Sequence, residues 1–190
     1  TLRPVDLGAL AGSGHSEVWV TRRPHVAIIP TGTELVEAGT DAQTGQIIEY
    51  NSLVLAAQVE QWGGTARRLP IVEDSLELIE AAAASAAEEH DLVLLIAGSS
   101  AGSEDYTSTV VENLGDLLVH GIAVRPGHPV VLGMLHRPVS RKNSGDQDSE
   151  TGRVPVIGIP GYPVSAALTG EIFVEPLLAR WTGRKPHSPP

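Results

Sequence analysis

Residues 91–105 read DLVLLIAGSSAGSED and set an apolar run, 92–96, directly before a loop of small residues. Gly98 and Gly102 take backbone angles closed to other residues, and Ser99, Ser100 and Ser103 add hydroxyls where the loop meets a following helix. Backbone N–H groups ahead of a helix N-terminus meet an anion without needing positive charge. The residue types therefore nominate Gly98, Ser99, Ser100 and Gly102 as a cradle for a phosphate or similar group, although a plain connecting turn uses the same residues. Arg125 and His128 flank a Pro-Gly turn and are reasonable anion contacts in so acidic a chain; ordinary exposed charge is the commoner fate of such residues. Ser165 stands two residues after Pro163, where its hydroxyl and the N–H groups of a helix start face either a phosphate or their own backbone. Three carboxylates complete the set. Glu34 ends the turn Thr31-Gly32-Thr33-Glu34 and reads first as a solvated turn residue, Asp105 reads first as the cap of the helix it opens, and Asp74 with Glu77 has the spacing of a capping box.

These groups need a scaffold that gathers them. A strand over 92–96, apolar on both faces, belongs in the interior of a parallel sheet between two helix layers, and ligands of such sheets bind at the strand ends. Pro24 precedes a first strand over 25–29, and residues 39–47 form a loop. Asn51 is expected to cap a helix whose apolar positions Leu53, Val54, Ala57 and Val59 with Trp62 sit roughly at helical spacing, and which stops at Gly63-Gly64. A second strand covers 65–72, a helix runs on to about His90, and a helix over 105–114 ends at Gly115. The β-α-β-α-β-α order with right-handed crossovers predicts an α/β fold, a three-layer α-β-α sandwich with a mostly parallel sheet. Strands over 117–124 and 130–135 flank a turn too short for a crossover helix, so they are antiparallel or form a bend. Residues 137–153 make a polar surface loop, 154–159 the last strand, and Pro163 opens a final helix through Ala179 that Pro176 should kink. A short helix over 4–10 and a short strand over 16–20 form a lead-in. The expected plan is a lead-in over 1–22, one domain over 23–183 and a tail over 184–190.

The totals narrow the chemistry. With 190 residues the chain is one ordinary domain, and 23 acidic against 13 basic residues give a formal charge of −10, which repels nucleic acid and anionic membranes. An anionic ligand must be met locally. The absence of cysteine excludes disulfides, thiolate metal sites and a cysteine nucleophile. No apolar run approaches the roughly 20 residues that span a bilayer, and no signal peptide precedes the first strand, so a soluble cytoplasmic protein is expected. The chain begins Thr1-Leu2 without methionine and is read as a piece of something longer. His25, His90, His120 and His136 have no ligand spacing and receive no role.

Taken together, Thr31-Gly32-Thr33-Glu34-Leu35, the 46–51 loop into a helix, the 98–105 loop, Arg125-Pro126-Gly127-His128-Pro129 and Pro160-Gly161-Tyr162-Pro163-Val164-Ser165-Ala166 form an ordered series. That series resembles the molybdopterin-binding domain of the molybdopterin molybdotransferases, the bacterial MoeA and gephyrin E-domain family, over nearly the whole chain. Ser100-Ala101-Gly102 with the 160–163 motif looks closer to a divergent branch, some of whose members carry a periplasmic-binding-protein-like C-terminal domain. Thr33 stands where the family usually has aspartate, Ala97 where it has a second glycine, Arg125 and His128 where it often has lysines, and Tyr162 where asparagine is common. The resemblance implies insertion of molybdate into adenylylated molybdopterin with release of AMP, assisted by Mg2+ held by a few carboxylates. It casts Glu34 and Asp105 as catalytic and metal-holding groups, with Asp74 as a secondary metal ligand. Gly98, Ser99, Ser100, Gly102, Arg125, His128, Pro160, Gly161 and Ser165 would hold the ligand. It also implies a homodimer, an upstream adenylyltransferase as partner, and a site completed by another domain or subunit, so that this piece alone binds but hardly turns over. Two other readings stand beside it. One is a non-catalytic module that binds or senses a pterin or another anionic small molecule, suggested by Thr33 and His128. The other, ranked low because the 98–105 loop lacks a threonine-proline pair and paired aspartates, is a molybdopterin adenylyltransferase or a competence-damage-type nucleotide hydrolase.

Overall fold

The computed structural model describes residues 2–97, 103–137 and 152–186, with backbone alone for 103–105. The elements run α1 (Pro4–Gly12), β1 (His25–Pro30), β2 (Leu35–Val36), β3 (Ile47–Ile48), α2 (Asn51–Gln61), β4 (Thr65–Arg68), α3 (Leu76–Glu89) and β5 (Leu92–Ile96). They continue with α4 (Ser103–Leu114), β6 (Gly115–His120), β7 (Val131–His136), β8 (Arg153–Ile159), α5 (Pro163–Thr169), a wide helical turn (Gly170–Val174) and α6 (Glu175–Trp181).

Six strands form one sheet in the order β4-β1-β5-β8-β7-β6. β4, β1, β5 and β8 are parallel; β7 is antiparallel to β8 and to β6. The chain is therefore the expected three-layer α/β sandwich with a mostly parallel sheet. β5 is buried at every position because the pleat sends Val93 and Leu95 into the layer of α3 and α4, and Leu92, Leu94 and Ile96 into the layer of α2 and α6. Gly158 lets α4 approach closely: a Cβ there would lie 2.6 Å from the Thr107 methyl. No helix among the described residues is long and apolar enough to cross a membrane.

Several local expectations give way to tertiary structure. Residues 16–20 form no strand; they are exposed and have no partner strand to complete a ladder. β4 stops at Arg68, after which only Val72 bridges, to Thr31. Asn51 does not cap α2. It is the first helical residue, and the buried Glu49 carboxylate takes the Ser52 N–H at 2.8 Å and the Ser52 hydroxyl at 2.5 Å. Asp74 does not cap α3 either, because Ser75 is the cap and its hydroxyl accepts from the Leu78 N–H. Gly115 does not punctuate α4 but begins β6, two residues ahead of the expected strand start, where a Cβ would collide with the Met134 carbonyl. Residues 47–48, expected in a loop, pair with β2. The last helix widens ahead of Pro176: proline offers no N–H and its ring crowds the carbonyl four residues back, and the Glu175 N–H reaches back five residues to Gly170.

Candidate functional site at the ends of the parallel strands

A pocket of about 210 Å³ opens at the carboxyl edge of the sheet. One wall is aliphatic, from Leu35, Ile47 and Ile48 of the β2–β3 ribbon; the others come from Glu49, Tyr50 and Asn51 at the start of α2, Ile96 and Ala97 ending β5, and Gly161, Tyr162 and Pro163 after β8. The Asn51 side-chain amide donates to the Gly161 carbonyl at 2.7 Å, binding the α2 wall to the β8 wall. Behind it, Arg68 Nε donates to the Ser52 hydroxyl at 2.8 Å, and its guanidinium faces Glu37 at 3.7 Å and Glu49 at 4.0 Å. The start of α2 is thus satisfied by protein groups and fixed in place.

The carboxylates lie at the end of β1. Thr31 is tied to β5 through both its N–H and its hydroxyl, which donate to the Ile96 carbonyl at 2.9 and 3.0 Å. Gly32 follows at φ +154°, and a Cβ there would sit 2.8 Å from Leu35 Cγ and 3.0 Å from Glu34 Oε2. Next to this turn, Thr33 and Asp74 exchange hydrogen bonds: the Thr33 N–H donates to Asp74 Oδ2 at 3.4 Å and the Asp74 N–H to the Thr33 hydroxyl at 3.2 Å. Asp74 Oδ1 is buried with no hydrogen-bond partner among the described residues. Burial raises the Asp74 carboxyl above the ordinary range, the Thr33 N–H offsets part of the rise, and the Glu34 charge adds to it. Two carboxylates, one with an unpaired buried oxygen, are a donor set that fits a hard divalent cation, which takes oxygen ligands and keeps several waters.

The other sequence candidates divide. Pro160 and Gly161 close β8, and Gly161 lines the pocket. Ser165 is buried in the first turn of α5. Arg125 and His128 are exposed on the β6–β7 connection; they share the sheet edge but do not line the pocket. Gly98, Ser99, Ser100 and Gly102 lie outside the described residues, as does the Asp105 side chain. Among the described residues no group of three or more acidic, histidine or cysteine side chains assembles a complete metal cage.

Residues 27–180 match the family model described as "Probable molybdopterin binding domain". The chain belongs to that family. Among the relatives of this molybdopterin-binding domain is the molybdopterin molybdenumtransferase of Haemophilus influenzae, 33% identical over 184 residues, covering 97% of this chain and 42% of the relative. The molybdopterin molybdenumtransferase of a Nostoc species is 30% identical, covering 96% of this chain and 39% of its own length. A solved molybdopterin biosynthesis MoeA protein from Pyrococcus horikosii superposes with a TM-score of 0.80 at 33% identity, over 97% of this chain and 42% of that one. The domain thus spans about two fifths of the length of these relatives. The tungsten cofactor synthesizing protein MoaB from Pyrococcus furiosus shares the fold alone, at TM-score 0.59 and 14% identity, over 86% of this chain and 98% of that one.

Residue-type reasoning missed the pocket-lining role of Tyr50, Asn51 and Tyr162 in this molybdopterin-binding domain. The available signal was position: each borders a strand end or a helix start, but a search for charged groups, glycines and serines passes over tyrosine and asparagine.

Proposed function

We propose that this chain is the molybdopterin-holding domain of a molybdopterin molybdenumtransferase, and that in the full-length protein it supports insertion of molybdate into adenylylated molybdopterin with release of AMP. The observation that carries the reading is the unpaired, buried Asp74 Oδ1 beside Glu34, at the same strand edge as the pocket. A buried carboxylate oxygen with no donor is unfavourable by about 1–3 kcal/mol, and a bound cation relieves it.

Mg2+ at this place would neutralise charge on the phosphate oxygens of the ligand. Glu34 and Asp74 would hold it, with Asp105 as the further carboxylate that the sequence motif supplies. In a chain of net charge −10 these carboxylates otherwise repel an adenylylated ligand, so cation and ligand bind together. Gly98, Ser99, Ser100 and Gly102 are the anion cradle in this reading, Pro160 and Gly161 shape the pocket wall, and Ser165 backs it from α5. Arg125 and His128 act farther out, as contacts for the anionic remainder. The apolar ribbon of Leu35, Ile47 and Ile48 keeps water from the organic part of the ligand. The domain proper is taken as 23–183, with a lead-in over 1–22 and a tail over 184–190. A second copy and the further domains complete the site, and an adenylyltransferase supplies the substrate.

The test is AMP release from adenylylated molybdopterin by the full-length protein, followed chromatographically with molybdate and Mg2+ added singly and together. Release that requires both is the expected outcome. Tight binding with no release under any combination refutes the transferase reading and leaves a binding module.

A further inference from the structure

Two of the three tyrosines of the chain, Tyr50 and Tyr162, line the pocket at the strand ends, and both keep much of their surface open, at 45% and 68% exposure. Aromatic residues make up only 4% of the sequence, so two open rings at one small pocket concentrate a scarce residue type where no core needs it. The segments that carry the rings are fixed. Tyr50 immediately precedes Asn51 and Tyr162 immediately follows Gly161, so the 2.7 Å bond from the Asn51 amide to the Gly161 carbonyl joins the two segments right beside both rings. On the α2 side the buried Glu49 carboxylate holds Ser52 through two hydrogen bonds; on the β8 side Pro163 opens α5 directly after Tyr162. The backbone under both tyrosines is therefore ordered before any ligand arrives, which lowers the ordering cost of binding.

The remaining lining selects the occupant. Leu35, Ile47, Ile48 and Ile96 present aliphatic surface; Glu49 also lines the pocket but its carboxylate accepts from the Ser52 N–H and hydroxyl, and no lysine or arginine lines the pocket among the described residues. That lining suits a neutral flat group better than a phosphate. At about 210 Å³ the pocket is also smaller than the roughly 300–1,000 Å³ that encloses a whole drug-sized ligand, so it takes one ring system. Tyrosine meets such a group with a π-face of about the same size, and stacking of this kind tolerates any planar base.

We infer that Tyr50 and Tyr162 hold the planar nitrogen heterocycle of the ligand against their rings, while its anionic remainder leads away toward Glu34 and Asp74. The class of ligand rests on the function proposed above; the heterocycle is its adenine or its pterin, and the test separates the two.

The test is titration calorimetry of the chain, in buffer containing Mg2+, with AMP, with 6-hydroxymethylpterin and with inorganic pyrophosphate. At least one heterocycle should bind, and Tyr162→Ala and Tyr50→Ala should each weaken it by about tenfold, whereas Tyr162→Phe stays within about threefold because the ring rather than the hydroxyl makes the contact. Pyrophosphate affinity should not change in any variant. Loss confined to AMP assigns the rings to adenine, and loss confined to the pterin assigns them to that end. The inference is overturned if neither heterocycle binds the unaltered chain at millimolar concentration, if both alanine variants bind as the parent does, or if Tyr162→Phe loses as much as Tyr162→Ala. Failure is separable from failure of the proposed function: heterocycle binding that depends on the tyrosines, without AMP release by the full-length protein, removes only the transferase reading. AMP release with an unchanged KM in the double alanine variant removes only this inference.

Discussion

Asp74 and Asp91 lie at opposite ends of the sheet, and their surroundings differ as the two ends do. Asp91, just before β5, accepts from both Arg22 Nη atoms at 2.7 and 2.8 Å and from the His25 N–H at 2.7 Å. Burial by itself would raise its carboxyl, but the Arg22 and His25 hydrogen bonds and the Arg22 charge outweigh burial and hold it below the ordinary range. Asp74 has one long hydrogen bond from Thr33, an unpaired oxygen and a like-charged neighbour, and its carboxyl is raised. The Asp91 end has a larger hollow, about 440 Å³, bordered by Arg22, Arg137 and Arg153, yet its charges are spent on the fold. Arg137 donates to the Ala87 and His90 carbonyls at the C-terminus of α3, and Arg153 faces Asp116 at 3.3 Å. The Asp91 end also holds a buried carboxylate oxygen without a hydrogen bond, Asp116 Oδ2, but Arg153 stands beside it as a counter-charge, whereas the charge beside Asp74 is the like charge of Glu34; on the function proposed above, that uncompensated charge rather than size distinguishes the ligand end.

The contrast can be broken at either aspartate. The largest effect is expected for Asp74→Asn: AMP release by the full-length protein should fall roughly 100-fold, equivalent to about 2.7 kcal/mol of barrier, while the melting temperature holds or rises because an unpaired charge is gone. Since the folded Asp74 carboxyl is raised, its contribution to stability is full below the unfolded carboxylate pKa and is lost as pH rises through the folded value. Urea midpoints of the parent measured downward from neutral pH should show that gain, and those of Asp74→Asn should lack it. Asp91→Ala should act oppositely, lowering stability by about 1–2 kcal/mol at neutral pH, with the cost kept modest because Arg22 is two-thirds exposed. The depressed Asp91 carboxyl contributes above the unfolded carboxylate pKa, and that contribution disappears as pH falls through its folded value, so parent and Asp91→Ala midpoints should converge in acid. Arg137→Ala should lower the urea midpoint by the equivalent of about 1 kcal/mol and leave AMP release unchanged. Smallest of all, Arg67→Ala breaks a pair with Glu89 in which both side chains are more than 60% exposed, and its unfolding curve should shift by no more than about 0.5 kcal/mol.

What could be read from the sequence follows the range of the interaction concerned. Leu92–Ile96 announces an interior strand because burial on both faces leaves a continuous apolar run, a composition it shares with Val26–Ile29 of its neighbour β1. The parallel order, the antiparallel β6–β7 pair and the proline-started last helix follow from similarly local signals. Asp74 was open to misreading because its spacing to Glu77 satisfies a capping rule, whereas its actual partner, Thr33, is 41 positions away. Asn51 has the residue type of a cap, yet it spends its amide on Gly161, 110 positions on. Residues 16–20 carry strand-forming types, but a strand needs a neighbour, and composition does not supply one. Of the candidate site, Glu34, Asp74 and Gly161 gather at one sheet edge, while Arg125 and His128 remain at its periphery. The family series and the pocket point to the same sheet edge, and Tyr50 and Tyr162 became visible only once two remote segments met.

β8, the last strand among the described residues, does not lie at the rim of the sheet but between β5 and β7. During synthesis the ribosome must therefore release most of the domain before its centre can close. Until β8 inserts, β5 shows an open edge, β7 lacks its second strand partner although α4 can pack on it, and the Gly161 side of the pocket does not exist. A nascent chain halted before residue 153 would carry Glu34, Asp74 and Tyr50 without the wall that turns them into a site. On the function proposed above, a binding-competent domain appears only after β8 and the Gly161 wall that follows it have been delivered.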